Sequence, residues 1–298
     1  MIQPDWIAAD WGTSHLRVWA MSGDRPLAEA SSGDGMGTLA PGDFEPALLS
    51  LISDWLGPGQ TPVIACGMVG ARQGWAEAPY LPVPTRPGTS ALRVPATDPR
   101  LSVHILPGLS QSTPPDVMRG EETQIAGYLA AHPQWDGILC LPGTHCKWVH
   151  ASAGEVVSFR TFLTGELFAL LTTRSVLRHS TAGADFDHSA FAEAVSDTLS
   201  RPETLAARLF ALRADDLLHG TPAPQTRARL SGLLIGAELA ASRAYWLGQE
   251  VVVIGAPATA PLYLSALASQ GVTATRADTA ALTLAGLTAA FHALKDTA

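Results

Sequence analysis

The sequence predicts an α/β fold in two domains, and three observations carry that expectation. An apolar strand, a tight polar turn containing Gly-Thr and a second alternating strand occur near the start, at 7–20, and the pattern returns at 138–149. The segment 251–294 then alternates strand, helix, strand, helix, as parallel-sheet proteins do. At 298 residues, 47% of them hydrophobic and 15% charged, the chain has the apolar content for two cores of ordinary size.

In chain order, Ile7-Ala8-Ala9-Asp10 is an apolar run ending in an aspartate, and Leu16, Val18 and Ala20 restore the alternation after the turn, which reads as a β-hairpin. Gly12 permits close backbone approach, and Thr13 and Ser14 add hydroxyls. Successive N–H groups in such a turn can converge on an anion, with Asp10 placed to hold Mg²⁺ beside it. An ordinary hairpin turn explains the same residues. The Gly-rich stretch 31–38 lacks the spacing of a dinucleotide loop and reads as a flexible loop. Phe44 to Leu56 has helical periodicity and stops at Gly57-Pro58-Gly59. A buried strand at 62–66 runs into the glycine-punctuated loop Gly67-Met68-Val69-Gly70-Ala71-Arg72, where α/β folds place ligand contacts. Residues 74–84 are too proline-rich for a helix and are expected to cover the first domain through Trp75 and Tyr80, or to wall a substrate cleft. Val103 to Leu106 is a further strand. A helix entered through Gly120 carries Glu121 and Glu122 in its first turn, which serve either as complements to the helix dipole or as a general base.

In the second hairpin, Gly143-Thr144 occupies the place of Gly12-Thr13. His145 and Cys146 do not make a zinc site, because adjacent side chains seldom address one ion. Lys147 either reaches a phosphate or solvates the hairpin. A strand at 156–160, a helix through Leu171, helices over 191–218 broken near Pro202, and a helix over 227–247 follow. Strand 251–254, the turn at Gly255-Ala256-Pro257, helix 260–268, strand 272–275 and helix 279–294 close the chain.

The 19 Lys and Arg residues are scattered and the formal net charge is −8, which excludes a nucleic-acid partner and an anionic membrane surface. Three cysteines, Cys66, Cys140 and Cys146, match no metal knuckle and read as reduced. With no basic leader and no apolar run approaching about eighteen residues, the chain is expected to be soluble and cytoplasmic.

Taken together, Asp10-Trp11-Gly12-Thr13-Ser14, Leu141-Pro142-Gly143-Thr144-His145-Cys146-Lys147-Trp148 and Val253-Ile254-Gly255-Ala256 resemble the phosphate-1, phosphate-2 and adenosine elements of the sugar kinase, Hsp70 and actin superfamily. Cys66-Gly67-Met68-Val69-Gly70, Gly74-Trp75, Pro79-Tyr80, Met118 through Gln124 and Leu163 through Phe168 further resemble the 2-dehydro-3-deoxygalactonokinase family. The resemblance implies two ribonuclease-H-like domains, 1–117 on the sugar-acid side and 118–298 on the nucleotide side, with the active site in the cleft between them. ATP and Mg²⁺ are the implied cofactors. The implied reaction is phosphorylation of the 6-hydroxyl of 2-dehydro-3-deoxy-D-galactonate. The residues so implicated are Asp10, Glu121 and Glu122 for catalysis, Asp10 also as metal ligand. For the nucleotide they are Gly12, Thr13, Ser14, Gly143, Thr144, His145, Lys147, Gly255 and Ala256. For the sugar acid they are Gly35, Met36, Gly67, Met68, Arg72, Trp75 and Tyr80. A kinase for another keto-deoxy sugar acid, or a polyphosphate or nucleotide phosphatase on the same scaffold, are the alternatives. A nucleotide-driven partner-binding module lacks a peptide-binding domain, a sugar sensor lacks a DNA-binding segment, and a homodimer is compatible with the chain.

Overall fold

Alternation along strand β1 (Trp6–Trp11) sends Ile7, Ala9 and Trp11 to one side and Trp6 and Ala8 to the other, and both sets are buried. A strand buried on both faces needs cover on both. We describe residues 2–296 of a computed structural model. They divide into two units, the first formed by 2–135, 151–158 and 279–296, the second by 136–150 and 159–278.

In unit 1, β1 is followed by β2 (Leu16–Ser22), β3 (Arg25–Ser32), α1 (Phe44–Ile52), β4 (Thr61–Gly67), β5 (Tyr80–Pro82), β6 (Leu92–Val94), β7 (Leu101–Ile105), β8 (Gly108–Ser112), β9 (Pro115–Met118) and α2 (Glu121–Ala131). The main sheet runs β3-β2-β1-β4-β7-β6, and β5, β8 and β9 form a small second sheet. Residues 74–84, expected as an irregular cover, therefore include a short strand. The covers differ on the two faces of the main sheet. Phe44, Leu48 and Ile52 of α1 fill one side with Trp11, while a helix over Thr279–Asp296, α9 in chain order, covers the other, its Phe291 stacked 4.5 Å from Trp6. α9 also seats α2: a Cβ on Gly286 would lie 1.9 Å from the carbonyl oxygen of Thr123, so only glycine permits the approach.

The second sheet starts with β10 (Gly137–Leu141), β11 (Cys146–Ser152) and β12 (Glu155–Phe162), which belong to unit 2 except for 151–158, and they precede α3 (Thr164–Thr173), α4 (His188–Ser200), α5 (Leu205–His219), α6 (Ala223–Ala241) and α7 (Arg243–Trp246). β13 (Val251–Ile254), α8 (Ala260–Ala268) and β14 (Thr275–Ala277) complete it. The sheet order is β12-β11-β10-β13-β14. Each unit thus repeats one strand order, third, second, first, with strands then added beyond the first, the innermost of them parallel to it, which is the ribonuclease-H-like topology expected.

The division does not fall between 117 and 118, where the sequence reading put it. α2 buries Ile125, Ala126 and Leu129 within unit 1, and α9 returns to the same unit, so glycine-mediated helix packing keeps 118–135 and the last helix with the first sheet. The strand expected at 272–275 is displaced to Thr275–Ala277, and the helix expected over 227–247 breaks at Ser242.

Candidate active site

In unit 1 the functional groups gather at the carboxyl ends of β1 and β4. The β1–β2 turn closes with Gly12 N–H donating to the His15 carbonyl at 2.9 Å, leaving Thr13, Ser14 and His15 exposed. A brace holds it from behind: Gly37 N–H donates to Thr13 O at 2.8 Å, Met36 N–H to Gly12 O at 3.0 Å, and Trp11 Nε1 to Asp34 O at 2.8 Å. A Cβ on Gly35 would sit 2.3 Å from the Ser14 carbonyl carbon and from Thr13 O. Gly35 and Met36, expected at the sugar acid, therefore lie against the phosphate-type turn through their backbone.

Asp10 is paired across the sheet with Arg17, whose Nη2 donates to Oδ2 at 2.8 Å, and its Oδ1 faces the Cys66 thiol at 3.9 Å. Gly67, at φ +90°, packs under the Trp11 carbonyl, and Gly120, at φ +106°, lies over Gly67, bringing the α2 start to the Asp10 end of the sheet. There the two glutamates separate. Glu122 is buried, its Oε2 accepting from Gly120 N–H at 2.6 Å, while Glu121 is partly exposed. Burial and the neighbouring Glu121 push the Glu122 carboxyl up to about 8, against the opposing pull of Gly120 N–H and Arg119. Burial, then Asp10 and Glu122, raises the Cys66 thiol as well.

Beyond these, Arg72 is exposed and paired with Glu77 at 3.5 Å, while Met68 is half-buried. Trp75 packs in the core edge-on to Trp11, as an anchor should. Tyr80 is not an apolar anchor: it is 39% exposed, with the Arg119 guanidinium 4.2 Å over its ring, because its strand lies at the edge of the small sheet.

Unit 2 carries the second turn. Gly143, Thr144 and His145 are exposed, and the start of α3 braces them: Glu166 N–H donates to Thr144 O at 2.9 Å, and a Cβ on Gly165 would lie 2.1 Å from Gly143 O. His145 Nε2 meets Glu166 Oε2 at 2.6 Å. Lys147 does not solvate the hairpin. It is buried, and its Nζ donates to the His145 carbonyl at 3.3 Å.

Next to this turn lies a cavity of about 490 Å³ lined by Pro142, Gly143, Thr164, Phe168, Arg227 and Tyr263 among others, within the size range of small-molecule sites. Its wall includes Pro257, Ala258 and Thr259, whereas Gly255 is buried against Pro142 and Ala256 lies outside the lining. Gly255 serves the close approach of its turn to Pro142, so it is the residues just after Ala256 that reach the cavity wall. Phe168, at the end of the Leu163–Phe168 segment, lies 4.9 Å from the guanidinium carbon of Arg227, which escaped the sequence reading because a cation on a helix resembles a solvated face.

Among the described residues no group of three or more His, Cys, Asp or Glu could cage a metal. No helix of the described residues is long and apolar enough to cross a membrane.

The family model described as 2-keto-3-deoxy-galactonokinase matches residues 10–290. The chain belongs to the 2-keto-3-deoxy-galactonokinase family. Among relatives of this family, the Rhizobium meliloti (strain 1021) protein named "Probable 2-dehydro-3-deoxygalactonokinase DgoK1" is 42% identical over 295 residues, spanning 96% of each chain. The 2-dehydro-3-deoxygalactonokinase of Escherichia coli (strain K12) is 38% identical over 281 residues, spanning 92% of this chain and 94% of that one. A crystal structure of a Sinorhizobium meliloti protein of the family superposes with a TM-score of 0.91 at 40% identity, covering 97% of this chain and 99% of that one. At 11% identity and a TM-score of 0.52, covering 98% of this chain and 96% of that one, the activator of 2-hydroxyisocaproyl-CoA dehydratase from Clostridium difficile shares the fold alone. The 2-keto-3-deoxy-galactonokinase family thus joins the actin and Hsp70-like α/β fold in these two units.

Proposed function

We propose that this chain transfers the γ-phosphoryl group of ATP to the 6-hydroxyl of 2-dehydro-3-deoxy-D-galactonate. The observation that carries the reading is the pair of braced Gly-Thr turns, one beside Asp10 and the α2 glutamates, the other beside the cavity of unit 2. Family membership over nearly the whole chain supports the substrate class.

Phosphoryl transfer asks a protein mainly for positioning and for stabilisation of charge on the transferring group. In this reading each turn is an anion site within its own unit: the N–H groups and hydroxyls of Thr13 and Ser14, shaped by Gly12, in unit 1, and those of Gly143 and Thr144 in unit 2, where the base of ATP takes the adjoining cavity. Asp10 would hold Mg²⁺, whose chemistry would be positive charge for the developing transition state. Arg17, paired with Asp10, fixes the carboxylate's orientation. Glu121 is the general base: it orients the acceptor hydroxyl and takes its proton late, as the bond to phosphorus forms. Glu122 caps Gly120 and, holding its own proton near neutrality, leaves a single negative charge at the helix start. The sugar acid approaches from the β4 side of unit 1, where Gly67, Met68, Arg72 and Tyr80 lie. The cytoplasm, where ATP is plentiful, is the proposed compartment.

The deciding experiment measures ADP formation with and without 2-dehydro-3-deoxy-D-galactonate and with its stereoisomers. ADP production that depends on the galactonate derivative supports the kinase reading. Production indifferent to any sugar acid identifies a phosphatase, and preference for another stereoisomer reassigns the substrate.

A further inference from the structure

Behind the second turn sits a carboxylate that the reaction itself does not require. Glu238 lies in the body of α6 and is 3% exposed. Three donors from three other elements converge on it. Trp148 of β11 donates its indole N–H to Oε1 at 2.8 Å, Tyr263 of α8 donates its hydroxyl to Oε2 at 2.8 Å, and Thr164, first residue of α3, donates its hydroxyl to the same Oε2. Because the Tyr263 hydrogen is committed to Glu238, the Cys146 thiol, 3.0 Å from the Tyr263 oxygen and 3.4 Å from Gly143 O, acts as donor toward one of them. The relay ends at the turn glycine.

Trp148 apart, the partners have places in the cavity wall. Thr164, Cys146 and Tyr263 line the cavity, and Thr164 precedes Gly165, which underlies Gly143. Glu238 does not line the cavity. A buried carboxylate is costly unless its lone pairs are satisfied, and three converging donors satisfy it while tying a strand, two helices and a turn to one point.

We propose that Glu238 is a positioning residue for nucleotide binding, fixing the second turn and the adjoining cavity wall in the geometry that accepts ATP. The inference rests on the assignment of that cavity to the nucleotide. Its test is direct binding of ADP to the full chain by calorimetry, without sugar acid, alongside KM for each substrate, kcat and the thermal midpoint.

Glu238→Gln keeps the volume but replaces one acceptor oxygen by an N–H donor. We expect ADP affinity to fall, and KM for ATP to rise, by about tenfold, with the sugar-acid KM and the thermal midpoint near wild type. Tyr263→Phe, which removes one donor from a buried ring, should weaken ADP severalfold, and adding it to Glu238→Gln should cost little more, because the two act through one contact. Three results would overturn the proposal: unchanged ADP affinity in Glu238→Gln, losses that simply add in the double variant, or a proportional weakening of both substrates together with a lowered midpoint. Should Glu238→Gln fail to fold, Tyr263→Phe decides alone, and wild-type ADP affinity in it refutes the inference. A wild-type chain that binds ADP yet phosphorylates no keto-deoxy sugar acid overturns the substrate assignment but not this proposal, whereas one that binds no ADP overturns both.

Discussion

The two turns are built alike and furnished differently. In each, three exposed residues follow a buried strand, the threonine carbonyl accepts an N–H from a bracing segment, and a glycine of that segment touches the turn so closely that no side chain fits. The brace in unit 1 is the loop around Gly35 to Gly37, and in unit 2 it is the start of α3 at Gly165 and Glu166. What stands behind them differs. Asp10 is backed by Cys66 and the α2 glutamates, and there burial first, then neighbouring acids, raises the proton affinity of Cys66 and of Glu122. The second turn has Glu238 behind it, with each oxygen accepting from donors. A shared backbone scaffold thus recurs in both units, while the acids proposed above for the acceptor's proton stand in unit 1. The lesson is that repetition of a fold duplicates backbone geometry, and chemistry is added by a few side chains behind it.

That contrast can be broken most sharply at Glu121. Glu121→Gln should lower kcat by roughly 10²- to 10⁴-fold with ATP affinity intact. Steady-state kinetics with a binding titration checks it, and near-normal turnover would move the base elsewhere. Asp10→Asn should lower turnover by about 10²- to 10³-fold and change its Mg²⁺ dependence, read from rate against Mg²⁺ concentration. The shared scaffold is tested by Gly35→Ala and Gly165→Ala, each expected to destabilise by about 1–3 kcal/mol in urea unfolding and to raise KM for ATP. If only one of them does so, the two braces are not equivalent.

A pH series sharpens the difference in proton chemistry. Glu122 ordinarily titrates near 4.5 and in the folded chain near 8, so the folded state binds more protons between those values. Its neutral form therefore contributes stability that is complete below about pH 4.5 and is lost as pH rises through about 8, with a slope of at most about 1.4 kcal/mol per pH unit. Glu122→Gln should flatten that part of the profile, and an unchanged slope would show that the carboxyl is ionised in the fold. The smallest effect is expected at the exposed His145–Glu166 pair, where Glu166→Gln should alter stability by less than about 1 kcal/mol.

Much of the scaffold is legible in the sequence because its signals are local. An apolar run ending at Gly12-Thr13 or Gly143-Thr144 encodes its own hairpin, and the periodicity over 279–294 marks a helix that the structure extends to Asp296. The division of the chain was not legible, since it depends on Gly286 meeting Thr123, a contact no window of sequence contains. The site divides the same way. Asp10 and Glu121 stand next to conspicuous turns, but Glu238 looks like one more charge on a helix until Trp148, Thr164 and Tyr263 are seen around it. Arg227 gave no signal either, and nothing in the spacing of Phe168 and Arg227 brings them together before the helices pack.

The seat of α2 on α9 sets an order of events during synthesis. Glu121 and Glu122 leave the ribosome early, yet Gly286 and Phe291, which complete their side of the first sheet, follow only after the whole of 159–278. A nascent chain stalled before residue 279 can pair β10 to β14 into the second sheet but leaves Trp6, Ala8 and Cys66 without their cover. Unit 1, which starts first, is the later to finish, and the acids proposed for the reaction gain their full setting only when the chain closes over the point where it began.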